Sequence, residues 1–496
     1  MSINKYPLIV SGRNWGYLIA LQILGLTLLP GLFAQQIHTV RDSGSGKERS
    51  KQKEKDFSYL DSLRATISEI TITGNKVTDD DVILREMNLK IGDTVTAAKC
   101  LEDEQRISTL GLFASVDMNP ILQPGNRIKM DVKVNEKWYI YPIPEVRMYD
   151  GDIRKVNAGL NLRWQNFRGR DENLSLSFGI GYNAFIHAAY TVPWIGENMH
   201  MFTSFSGGYS IDRNRSMLAL GKPNGSRIYG YRDSNFDYVN YNTKLTIGKY
   251  FAKRFSVYGE GGYTFLRVTP DSIGRTISPD GVDKYILTGF GVNYDTRNTR
   301  EYSTAGYMVH FDYEHFGLID DNPVNFGRFT LEQRGYVPFN VTNDYSVVFA
   351  SRLFTTVAIG PQIPIYNHEF LGYGSDFVRG WAWYGFEGEN EFTSYNEVRI
   401  PVLLPQSLRG EDIPIVKSLP YLKKFNYRYG LYFTAFYDVG TVWNGNERLR
   451  KVQFLNGTGI GLNALLPFGM IGKIEYAFRL ERPIIGQVIF GLGAKF

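Results

Sequence analysis

The chain has 496 residues, of which 15% are Phe, Tyr or Trp and 51 are Gly, a pairing that argues against a helix-rich soluble enzyme. Charged residues make up 21% and the mean hydropathy is −0.24. A bundle of membrane helices, each needing about 20 mainly apolar residues, is therefore excluded beyond the N-terminus. The formal charge of +5 is reduced by two if the segment carrying Lys5 and Arg13 is removed, too small and too dispersed an excess to imply nucleic-acid binding.

A single cysteine, Cys100, forbids an internal disulfide and a cysteine metal cluster. Of the six histidines (His38, His187, His200, His310, His315 and His368), only His310 and His315 fall near a ligand spacing. On an alternating strand those two would face opposite ways, so neither a metal nor a cofactor is expected.

Residues 1–34 read as a secretory signal peptide: Lys5 and Arg13, an apolar run over 17–29, then Gly31 to Ala34 before Gln35. Leu32 is larger than the residue usual three places before a cleavage site. Residues 35–62 read as a flexible charged linker, because 41–56 contain no apolar residue to bury. Gly44-Ser45-Gly46-Lys47 looks like a phosphate loop, but Glu48 stands where Ser or Thr must hold magnesium and no strand precedes it.

Residues 63–137 read as a small α/β domain of order β-α-α-β-β. Ile70 and Ile72 share a strand face before the Gly74-Asn75 turn, and Thr78 with Asp81 forms a capping-box pattern ahead of a short helix. Ala97, Cys100, Leu101 and Ile107 then share a helical face, making Cys100 a small buried hydrophobe. Ile128, Met130, Val132 and Val134 alternate along a last strand.

Residues 138–496 change to segments of about ten residues with alternating polarity, separated by turns, which is the signature of a transmembrane β-barrel. Leu174, Leu176, Phe178 and Ile180 oppose Ser175, Ser177 and Gly179; Val309, Phe311 and Tyr313 oppose His310, Asp312 and Glu314. Sixteen segments are predicted, centred near 145, 160, 177, 190, 205, 244, 260, 290, 310, 331, 350, 397, 436, 461, 476 and 491. Odd connections are mostly long and even ones mostly short, with 405–425 an exception. A soluble sandwich would have to bury Asp312, Glu314, Arg399 and Lys473 or expose whole apolar strand faces; a barrel with a wet lumen does neither. Alternation continues to Phe496, and Gly486, Gly491 and Gly493 weaken this closing strand because they bring no side chain to pack.

The small domain resembles a polypeptide-transport-associated (POTRA) domain on Thr73-Gly74-Asn75, Ile91-Gly92-Asp93, Leu110 to Phe113 with Val116, and Val134-Asn135-Glu136. With the sixteen-strand barrel, the chain is similar to the BamA/TamA outer-membrane assembly superfamily, most specifically at Val378-Arg379-Gly380-Trp381 between strands eleven and twelve. The terminal Phe496 is similar to the assembly signal of bacterial outer-membrane proteins. The resemblance implies that the long loop folds back into the lumen and that Arg379 meets Glu397 and Asp438 on strands twelve and thirteen. Parity agrees, since both acids alternate with lipid-facing residues. Asp295-Thr296-Arg297-Asn298, followed by Thr304 to Gly306, resembles a family turn whose acid fixes turn geometry.

The resemblance implies an outer-membrane protein with its POTRA domain in the periplasm. It would work on unfolded outer-membrane clients, with chaperones or accessory lipoproteins as further partners, and insert clients by lateral opening of the barrel. The alternative is a secretion pore exporting a dedicated partner through the lumen. An enzyme is not expected, because no Ser-His-Asp set converges on one side of the alternation. Asn224-Gly225-Ser226 and Asn456-Gly457-Thr458 fit a glycosylation pattern but are expected to be turn residues.

Overall fold

The computed structural model describes residue 57 and residues 59–492, apart from 149–154, 197–198, 215, 217, 228–236, 253, 270–274, 300–301, 320–322, 343–344, 373–375, 419–425, 448, 467–469 and 482. The expected signal peptide, most of the expected linker, Gly493 and Phe496 lie outside the described residues.

β1 (Thr66–Thr73), β2 (Phe113–Gln123) and β3 (Arg127–Glu136) form a sheet of order β1-β3-β2, with β1 parallel and β2 antiparallel to β3. Helices Asp80–Leu84 and Ala97–Thr109 pack on it. Ile128, Met130, Val132 and Val134 are buried, as period two demands of a strand with one face on a core. Cys100 and Ile107 join that core, whereas Leu101 lies on the exposed side of its helix, one residue past the stripe. Thr78 is not the cap of the short helix: Asp79 holds that position without a side-chain bond, and Thr78 is drawn away by Glu136.

Sixteen further strands form one antiparallel sheet, each paired with the next barrel strand in sequence. They are β4 (Ile140–Met148), β5 (Val156–Phe167), β6 (Glu172–Gly181), β7 (Phe185–Ile195), β8 (Met201–Arg213), β10 (Asp237–Ala252), β11 (Phe255–Thr269) and β12 (Val282–Asp295). The ring continues through β13 (Gly306–Gly317), β14 (Phe326–Thr342), β15 (Tyr345–Ile359), β18 (Asn390–Arg409), β19 (Asn426–Trp443), β20 (Leu455–Leu465), β21 (Ile471–Arg479) and β22 (Gly486–Leu492). Each predicted segment centre falls inside one of these strands. Short β9 (Ser226–Arg227), β16 (Glu369–Leu371) and β17 (Tyr384–Gly388) pair among themselves in the long connections at the end of the barrel away from the POTRA unit. Asn456-Gly457-Thr458 lies within β20 rather than in a turn.

Among the described residues no helix is long and apolar enough to cross a membrane. The crossing is made by strands: Leu176, Phe178, Ile180, Ile460, Leu462, Ile474 and Tyr476 are exposed, while Glu475, Asn463 and Gly461 between them are buried inside. Antiparallel pairing between neighbouring strands satisfies the backbone where lipid offers no hydrogen bonds.

The POTRA unit is fastened to the β5–β6 turn. The Asp79 amide donates to the Gly169 carbonyl at 2.8 Å, and Asn166 Nδ2 donates to Thr78 Oγ1 at 2.9 Å. Thr78 gives its own proton to Glu136 (2.6 Å) and accepts one from Tyr139 (3.0 Å). Arg85 pairs with Asp171 at 2.7 Å and stacks on Trp194. Gly169 has φ +78°, and a Cβ there would stand 2.1 Å from the Val77 carbonyl oxygen, so only glycine allows this approach.

Candidate functional site: a buried arginine in the barrel lumen

In the loop between β15 and β18 (360–389), the described residues 376–381 turn back among the inward faces of β18–β21. Val378 packs with Leu371, Trp381 and Leu455, anchoring the tip by apolar contact. Gly380 adopts φ +100°, which turns the chain sharply after Arg379. Trp381 closes the turn through its amide to the Val378 carbonyl (2.8 Å) and its indole N–H to the Asn456 carbonyl (3.0 Å).

Arg379 is wholly buried. Its Nε and Nη2 donate to the two oxygens of Asp438, each at 2.7 Å, and its backbone N–H reaches Asp438 Oδ2 at 3.1 Å. Nη1 donates to Glu397 Oε2 at 3.1 Å and to Glu475 Oε1 at 2.8 Å. The guanidinium carbon lies 3.5 Å from the centre of the Phe436 ring. The planar fork is used on two edges and one face, which an ammonium could not reproduce.

Around it the charges balance: Arg399 donates to Glu397 Oε1 at 2.9 Å, and Lys473 approaches Glu475 at 3.9 Å. Three cations thus face three carboxylates, the arrangement a dry interior requires. Gly457 on β20 leaves room for the loop: a Cβ there would lie 1.6 Å from the Arg379 carbonyl oxygen.

The structure therefore brings together Val378, Arg379, Gly380, Trp381, Glu397 and Asp438. It adds Glu475 of β21, which the sequence reading did not select; the signal was available, since Lys473, Glu475 and Ala477 alternate with exposed Ile474 and Tyr476. Gly491 is not in this cluster. It pairs with Lys473, where a Cβ would meet the Lys473 side chain at 2.7 Å, so this glycine gives the lysine stem space to lie along the wall. Asp295 binds Arg297 through both oxygens at 2.9 and 2.8 Å, a turn-fixing fork.

The same architecture appears in known proteins. Residues 166–496 match the Omp85 superfamily domain, and residues 65–137 match the POTRA model described as a surface antigen variable number repeat. The chain belongs to the Omp85 superfamily. It is 20% identical over 454 residues, 85% of its own length and 49% of the relative, to the outer membrane protein assembly factor BamA of Nitratidesulfovibrio vulgaris. The chain spans about half the length of the curated relatives it matches. Among solved structures, BamA from Haemophilus ducreyi lacking POTRA domains 1–3 superposes with a TM-score of 0.54 at 17% identity, covering 86% of this chain and 85% of that one. CdiB from Acinetobacter baumannii gives 0.57 at 15% identity, covering 87% and 73%. These two likenesses are of fold. With its apolar outer rows, this Omp85 barrel is one of the bacterial outer membrane.

Proposed function

We propose that this Omp85 chain is an outer-membrane assembly factor that receives unfolded β-barrel clients at its periplasmic POTRA domain and inserts them through a lateral seam between β4 and β22. In this orientation the 360–389 loop enters from the outer surface. Family membership supports outer-membrane protein assembly at the level of the superfamily. The observation that carries the lateral route is where the sheet ends. Among the described residues no ladder joins β4 to β22, whereas every other neighbouring pair of the sheet is hydrogen-bonded. An edge strand is a template for strand addition by an incoming chain. The lumen, by contrast, holds the loop on a dense ionic cluster. Periplasmic chaperones and accessory lipoproteins complete the proposed partners, and the reading assigns the barrel no covalent chemistry of its own.

The test is a disulfide across the β4–β22 seam, formed in cells and reversed with reductant. The cross-linked barrel should stay folded while client barrels disappear from the outer membrane, and reduction should restore them. Full client assembly with the seam closed, accompanied by loss of a secreted protein when the chain is depleted, would replace this reading with export through the lumen.

A further inference from the structure

Between β12 and β13, the described residues 296–299 and 302–305 do not stay at the rim. Their backbone is preshaped: the Thr296 amide donates to the Tyr307 carbonyl at 2.8 Å, the Asn298 amide to the Ala305 carbonyl at 3.1 Å, and Ser303 Oγ to the Thr299 carbonyl at 2.6 Å. These bonds send Tyr302 and Ser303 inward, and both are buried. Their partners lie on the opposite part of the ring. Tyr302 packs with Tyr432 of β19 (ring centres 4.9 Å apart), Leu465 of β20 and Ile471 of β21, and its hydroxyl accepts from Asn463 Nδ2 at 3.3 Å. β12 is eighth and β21 fifteenth in the sixteen-strand order, so a contact this far round the ring must pass across the lumen and not along the wall.

Arg399 of β18 holds the turn in place. Its Nη1 donates to the Ser303 carbonyl at 2.8 Å, and its guanidinium carbon lies 4.0 Å from the Tyr302 ring centre. Its Nε binds Glu397 Oε1, and the other oxygen of that carboxylate holds Arg379. One buried acid thus stands between the arginine of the loop entering from one end and the arginine that holds the turn entering from the other.

We infer that Arg399 is a positioning residue that closes the POTRA end of the lumen by holding Tyr302 and Ser303 of the β12–β13 turn, and that Glu397 couples this closure to the seating of the Arg379 loop. The physical link is water. Each segment keeps solvent away from the ion pair of the other, and a charge pair is stronger in a dry, low-dielectric site than in a wet one. Release of either segment hydrates Glu397 from that side and weakens the remaining bond. This inference does not depend on the assembly reading, because neither closure nor coupling refers to a client.

The experiment uses the full chain folded in liposomes with Ser303→Cys as reporter; the native Cys100 is fully buried in the POTRA core and stays silent to maleimide. Labelling at 303 should be slow in the otherwise unaltered chain, at least tenfold faster with Arg399→Gln, partly restored with Arg399→Lys, and severalfold faster with Arg379→Ala, which does not touch the turn. Conversely, Tyr302→Leu should speed proteolysis within residues 370–385. It leaves Arg399 and Glu397 paired, so it stays foldable even if Arg399→Gln does not. Heat-modifiable migration on gels confirms a folded barrel in each case. Unchanged labelling in folded Arg399→Gln, or in Tyr302→Leu, overturns the closure; faster labelling there with no response to Arg379→Ala, or no change in loop proteolysis in Tyr302→Leu, overturns the coupling.

Discussion

Replacing Arg379 by Ala removes four side-chain hydrogen bonds at once and leaves Asp438, Glu397 and Glu475 without their shared guanidinium. Asp438 loses both side-chain donors of its fork. Breaking a buried, hydrogen-bonded ion pair by deleting one member costs about 3–5 kcal/mol, so the ratio of seated to released loop should fall by about 150- to 4,000-fold. The assay is the rate of protease cleavage within residues 370–385 in intact cells, which follows the released population when reseating is faster than cutting. Arg379→Lys should recover only part of the protection, since a point charge cannot serve two edges and the Phe436 face together. Arg379→Ala combined with Asp438→Asn should cost less than the sum of the single changes, because the second change removes the carboxylate that the first strands. Cleavage and client assembly unchanged in Arg379→Ala would refute the reasoning, showing that the ionic cluster does not seat the loop.

Gly457→Ala should release the same loop without altering any charge, because its Cβ would stand 1.6 Å from the Arg379 carbonyl oxygen; protease protection as strong as in the unaltered chain would mean that β20 can shift aside. Arg85→Ala should loosen the POTRA domain from the barrel, read as faster hydrogen exchange at Asp79 and in the 166–171 turn, since the Arg85–Asp171 pair is largely buried at 2.7 Å. Burial pushes the Glu136 carboxyl up, but hydrogen bonds from the Thr78 side chain and from the Thr78, Val77 and Lys76 amides outweigh it and hold the group below its ordinary value of 4.5. A carboxyl with a lower pKa in the folded state contributes stability above its unfolded value and loses it as the pH falls through the folded one. Protection of the Lys76, Val77 and Thr78 amides, corrected for intrinsic exchange, should therefore drop below about pH 4.5 in the native chain and become flat with pH in Glu136→Gln.

Much of the barrel was readable because lipid imposes a rule on every residue of a strand. With period two and no water outside, apolar rows must face out and charges must face in, so the strand segments and the inward placement of Glu397 and Asp438 follow from local order alone. The closeness of Arg379 to those acids came from family resemblance, and no local pattern contains it. What only the tertiary structure decided are meetings between residues far apart in the chain: Glu475 with Arg379 across 96 positions, Ser303 with Arg399 across another 96, and Thr78 with Asn166 across 88. Alternation states which way a side chain points but carries no information on ring order, shear or the depth to which a loop returns. Thr78 shows the same limit, since its local sequence reads as a helix cap while a carboxylate 58 residues away claims its hydroxyl. A local cap is worth about 1 kcal/mol, little enough for the Glu136 and Asn166 bonds at the domain junction to override it.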